Sequence, residues 1–173
     1  MIRLGSLILR ATAVALVCLT GNIGAAAQNK PAAGPDEGEL LAYRLSIPML
    51  QKIEGTMKTV MAAAKSDPAV KRQLSSDAVA IDPDTPMTLS AMEKELAKVP
   101  VLIKALQANG LTPREYAKFL TVLGRSMVAS SFQQAGGPMA SALGSVAPEN
   151  IKFVREHRAD IERFTETMES LDR

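Results

Sequence analysis

The chain has no tryptophan, one histidine, one cysteine, two tyrosines and four phenylalanines in 173 residues. Each shortage removes a class of chemistry. A lone thiol, Cys18, can form no intrachain disulfide and no cysteine-based zinc site. A lone histidine, His157, cannot supply the two Glu-x-x-His pairs of a ferritin-like carboxylate site. No G-x-S-x-G nucleophile element occurs, and "ALGSVA" (142–147) lacks the pattern. No G-x-x-x-x-G-K phosphate loop occurs either. Acids and prolines crowd residues 77–84, but the glycine and distal glutamate of a calcium loop are missing, so this is a solvated acidic loop.

An excess of one charge is also missing. The chain carries 20 basic and 18 acidic residues, and its first 27 residues contain Arg3 and Arg10 but no acid. Without those two arginines the balance is 18 against 18. A neutral chain has no electrostatic footprint for nucleic acid or an anionic membrane. No nucleic-acid partner is expected.

What is present begins with an address. Arg3 and Arg10 give a basic start, "ATAVALVCL" (11–19) is apolar, and "AAA" (25–27) offers small residues. This is the order of a secretory signal peptide, with cleavage expected after Ala27. The apolar run is shorter than the ~20 residues that cross a bilayer. Val17 is too large for the position before a lipidated cysteine, so Cys18 leaves with the signal. The expectation is an exported product, periplasmic or extracellular, with no stable membrane insertion after cleavage. Residues 28–38, "QNKPAAGPDEG", read as a flexible leader. Residues 39–173 read as one helical domain.

Helical periodicity dominates that domain, and no segment reads as a strand. Leu50, Ile53, Met57, Val60 and Ala64 form a stripe at steps of three and four, which predicts a helix over 47–65 with Ser46 as its cap. Residues 39–45 form a shorter helical lead-in, and "SDPAVKRQLSSD" (66–77) one or two turns. Leu89, Met92, Leu96, Val99, Ile103 and Leu106 keep one register across 88–109, with Ser90 and Glu93 matching a capping box. Pro100 removes a helical hydrogen bond, so this helix is broken or kinked at 99–100. Gly110 suits the left-handed position that ends it.

Thr112-Pro113-Arg114-Glu115 then carries the marks of a helix start: a hydroxyl cap, proline at the first position and a carboxylate reaching back. The predicted helix spans 112–135, with Tyr116, Phe119, Leu120, Leu123, Met127 and Phe132 inward. Arg114, Lys118 and Arg125 lie on another face that no capping rule demands; they are the candidate ligand or partner face. Residues 136–147 are a small-residue linker. Val154, His157, Ile161, Phe164, Met168 and Leu171 occupy heptad a/d positions in a last helix over 148–171. Lys152–Glu156 and Arg158–Glu162 are charge pairs four apart on its solvent face. Together the stripes predict an all-α, up-and-down bundle of about four helices, one of them broken near Pro100.

His157 is expected at the edge of the core. If the first and last long helices run antiparallel, Met57 or Met61 falls level with His157, a spacing that permits haem ligation without requiring it. Methionines on a helical stripe ordinarily fill a core, and no cofactor and no metal is expected.

"LTPRE" (111–115) resembles the LTxxQ element of periplasmic stress chaperones: Leu111 and Thr112 match, and Glu115 stands where that element has glutamine. The resemblance implies a dimer with a concave, apolar and basic client surface. "GLTPREY" (110–116) and "FVREHRADIER" (153–163) also resemble small exported bacterial helical proteins of unassigned function, a likeness that implies no activity. The functional expectation is a non-enzymatic protein that binds an apolar ligand or a protein client. The eight methionines left when Met1 is set aside would form an adaptable lining. The alternatives are an enzyme using His157 with Glu156 or Tyr116, and an assembly protein, a homodimer included, built by helix packing between chains.

Overall fold

A computed structural model of the chain describes residues 35–75, 88–134 and 146–170. The expected signal peptide, the acidic loop and most of the leader and linker lie outside these residues. The described residues form eight helices and no strand: α1 (Glu37–Ala42), α2 (Ile47–Ser66), α3 (Pro68–Ser75), α4 (Leu89–Ala97), α5 (Pro100–Ala108), α6 (Pro113–Gln134), α7 (Pro148–Glu156) and α8 (Arg158–Ser170). None of them is long and apolar enough to cross a membrane.

The stripe of α2 is buried as its spacing predicts: Leu50, Ile53, Met57, Val60 and Ala64 all lie in the interior. Full burial of such a side chain stabilises a fold by about 1.5–3 kcal/mol. α2 packs on α5 and touches α8, α4 packs on α6, and α6 packs on α7. One core runs through α1, α2 and α4 to α8, and Ile53, Leu106 and Phe119 are fully buried in it. The Phe119 ring meets Phe164 edge-on at 6.4 Å. Buried hydroxyls of Thr56 and Ser126 donate to the carbonyls of Lys52 and Val122 one turn back, so neither is left unpaired.

Several helix ends follow the expected chemistry. Thr112 Oγ1 accepts from the Glu115 N–H at 3.1 Å, and the Glu115 carboxylate accepts from the Thr112 N–H at 2.8 Å. Val99 is an N-cap ahead of Pro100, so the helix is broken into α4 and α5. Gly110 has φ +65°, and the bonds Leu111 N–H to Leu106 O and Gly110 N–H to Gln107 O close α5 as a Schellman turn.

Five expectations need correction. Ordered structure starts ahead of Glu39, with a turn at 35–36 and helix from Glu37, because the acids of this segment find partners elsewhere in the fold. Ser46 holds the N-cap position of α2, but its side chain caps nothing. The cap of α4 is Thr88, whose Oγ1 accepts from Ala91 N–H at 3.1 Å; Ser90 and Glu93 form no capping box, since Glu93 turns to Arg114. Met127 is exposed rather than inward, and Val122, Ser126, Ala129 and Ser130 of α6 are buried. The last helix is two helices interrupted at His157, whose φ −109° and ψ 28° end α7.

Candidate functional site

The face singled out in the sequence, Arg114, Lys118 and Arg125, lies along α6, and α1 is seated on it. Pro113 at the first helical position and the Thr112–Glu115 cap fix where α6 begins, and so where Arg114 and Lys118 stand. Arg114 Nη2 lies 2.5 Å from Glu39 Oε2 and 3.6 Å from Asp36 Oδ1, while Nη1 donates to Glu93 Oε2 at 2.9 Å. Lys118 Nζ reaches Glu39 Oε1 at 2.5 Å. Arg125 Nη1 donates to Glu37 Oε2 at 3.0 Å. Asp36 also accepts from the Leu89 N–H at 2.7 Å, so a residue outside α4 caps its first turn.

Three of these groups, Glu39, Arg114 and Glu115, are shifted in their titration. The guanidinium of Arg114 and then the ammonium of Lys118 hold the Glu39 carboxyl down at about 2. The same bonds push Arg114 further up, Glu39 first and Glu93 second. Hydrogen bonds from the Thr112 N–H and hydroxyl, with Lys118 and Lys52 nearby, lower Glu115 against the opposing effect of burial.

Apolar and amide contacts complete the seat. Leu40 of α1 and Leu45 within the extended connection 43–46 are both buried. Asn150 of α7, itself 1% exposed, grips that connection: its Oδ1 accepts from Leu45 N–H at 3.0 Å and its Nδ2 donates to Tyr43 O at 2.9 Å. The Tyr43 hydroxyl is buried without a hydrogen-bond partner among the described residues. Burial, with a contribution from Glu115, pushes it up to about 12.

The other candidates do not meet at one point. Met57 is in the core, where its sulfur accepts from the Tyr116 hydroxyl at 3.5 Å, and Met61 is buried on the same helix. His157 stands half-exposed at the α7–α8 break, its ring 4.6 Å from Phe153 and its Nδ1 3.4 Å from Asp160. An open depression on α7 is lined by Lys152, Arg155 and Glu156. Lys152–Glu156 and Arg158–Glu162 are exposed i,i+4 pairs as expected. Among the described residues, no three His, Cys, Asp or Glu side chains are grouped to hold a metal.

Sequence reasoning missed Asp36, Glu37, Glu39 and Asn150, and gave Glu93 a capping role in place of its pairing with Arg114. The signal for the acids was available: "PDEGE" (35–39) is complementary in sign to the α6 face. The partnership itself was not legible, because Glu39 and Arg114 are 75 positions apart. Comparison with known proteins returns no matching family model, no matching curated protein and no matching solved structure.

Proposed function

We propose that this chain is an exported, non-enzymatic helical protein that acts by binding a protein client. Its signal peptide ends at Ala27 and its working compartment is the periplasm or the extracellular space. Its four rods (α2, α4–α5, α6 and α7–α8) run up and down as a bundle. The observation that supports the binding role is the seating of α1. A short helical segment of opposite charge lies on α6, held by paired carboxylates and the buried Leu40. That is how a fold recognises a peptide, by charge register plus an apolar anchor.

The same observation favours a protein client over an apolar small molecule. Among the described residues, Met127 at 36% is the large hydrophobic side chain left exposed.

The test is native mass spectrometry of the protein purified from its own envelope. A polypeptide carried with the chain, and a mature N-terminus at Gln28, are the expected results. A chain that emerges unaccompanied in every preparation and fails to slow aggregation of unfolded proteins would overturn the reading.

A further inference from the structure

Resting on that binding role, we infer that the Arg114–Lys118–Arg125 face docks an acidic, amphipathic helical segment of a partner protein. α1 is the placeholder that such a segment displaces. The seat specifies its occupant. A carboxylate must bridge Arg114 and Lys118, a second must reach Arg125, and an apolar side chain must enter where Leu40 is buried. α1 meets these demands with Glu39, Glu37 and Leu40.

The seat is well built and its present occupant is weakly built. α1 has six residues, too few for a helix to hold itself together in water. Asp36 stands at its N-cap with no side-chain bond to the helix, because its carboxylate is turned to Leu89 N–H and Arg114. Gly38 sits inside α1, where glycine weakens a helix. Nothing in the structure asks for glycine there. Its φ is not in the left-handed region, and a Cβ would meet no atom within 4 Å. The Arg114 and Glu39 side chains keep 34% and 35% of their exposure, so salt screens them. The connection 43–46 is extended and joins α1 to α2 without helix. A partner segment with better helix chemistry and the same charges would gain the seat while α1 swings away on that connection. The closed strap lowers the partner's apparent affinity by the fraction of time the seat is free.

The test uses a fluorescent synthetic peptide of residues 35–46 and the purified chain, read by anisotropy. Circular dichroism first confirms that every variant is folded. Glu39→Lys sets a cation against Arg114 and Lys118, opens the strap, and is expected to tighten peptide binding at least tenfold. Gly38→Ala firms the strap and is expected to weaken binding about fivefold, the equivalent of the ~1 kcal/mol by which alanine exceeds glycine in a helix. Adding Arg114→Ala to Glu39→Lys is expected to remove the gain. A peptide with amides in place of Asp36, Glu37 and Glu39 is expected not to bind. Equal binding to the wild type, Glu39→Lys and Gly38→Ala would overturn the inference, as would absence of binding to Glu39→Lys. Sedimentation of Glu39→Lys as a dimer that ignores the peptide would assign the seat to a second copy and overturn it too. A client found by mass spectrometry despite these failures would leave the binding role standing and place it elsewhere on the molecule.

Discussion

Glu39 offers one carboxylate oxygen to Arg114 Nη2 at 2.5 Å and the other to Lys118 Nζ at 2.5 Å. One acid of α1 thus bridges successive turns of α6. Its pKa falls from 4.5 to about 2, Arg114 being the larger cause. Between those values the unfolded chain takes up a proton that the folded chain refuses. The contribution is therefore complete above pH ~4.5 and lost as pH falls toward 2. Thermal midpoints of the wild type are expected to fall more steeply across this window than those of Glu39→Gln. Parallel curves would show that the bridge carries no stability.

The two tyrosines give an alkaline counterpart. Burial raises both Tyr43 and Tyr116 from 10.0 to about 12. Here the folded pKa lies above the unfolded one, so the stabilising contribution is present below pH ~10 and is lost as pH rises through 12. With no tryptophan to mask them, absorbance at 295 nm reports both residues. It is expected to stay flat through pH 10 and to rise together with unfolding. A one-tyrosine step centred near pH 10 would mean that the Tyr43 hydroxyl is wet, and that the connection beneath α1 is looser than the structure has it.

Asn150 joins the two ends of the described chain, taking the Leu45 N–H and giving to the Tyr43 carbonyl from a site 1% exposed. Asn150→Ala strands a buried donor and removes a bond from a carbonyl. The expected cost is about 2–4 kcal/mol in urea unfolding. Asn150→Asp keeps the acceptor but buries a charge beside a carbonyl, and is expected to cost more. A loss below about 0.5 kcal/mol for either variant would show that Asn150 does not anchor the connection.

Much of the fold was legible because its devices are local. The α2 stripe repeats every three or four residues, Pro100 breaks a helix by its own geometry, and Thr112 and Glu115 cap each other across one turn. The break at His157 was harder, since Val154, His157 and Ile161 keep heptad spacing with no Gly or Pro between them. Yet Arg155 in the last turn of α7 and Asp160 in the first turn of α8 are the charges that suit a helix end and a helix start. The cationic face of α6 was legible in Arg114, Lys118 and Arg125, but the docking of α1 on it was not. Charge complementarity between "PDEGE" and α6 names no register, and ion pairing over 75 positions is decided by packing that no local rule contains.

The same gap set the inner face of α6 slightly wrong, and substitutions can test its correction. Phe119 is fully buried and meets Phe164, while Met127, expected inward, is 36% exposed. Phe119→Ala is expected to cost about 3–5 kcal/mol. Met127→Ala is expected to stay within about 0.5 kcal/mol, as surface changes do. Similar losses at both positions, measured by urea unfolding, would restore the straight Tyr116–Leu123–Met127 stripe.

Two glycines carry opposite expectations for one substitution. Gly110 holds φ +65°, where its N–H and that of Leu111 close α5 onto Gln107 and Leu106. An alanine there must either bear the left-handed conformation, at about 1–2 kcal/mol, or give up the turn that aims the chain into α6. Gly38 has no such φ and open space around its missing Cβ. Alanine at 38 is therefore expected to stabilise, by about 0.4–1 kcal/mol, through a less flexible unfolded chain and a firmer α1. Urea unfolding of the two variants gives the signs directly. If Gly38→Ala destabilised as Gly110→Ala does, the backbone at 38 would have to leave the helical region in solution. α1 would then not be the helix that lays Glu39 across Arg114 and Lys118.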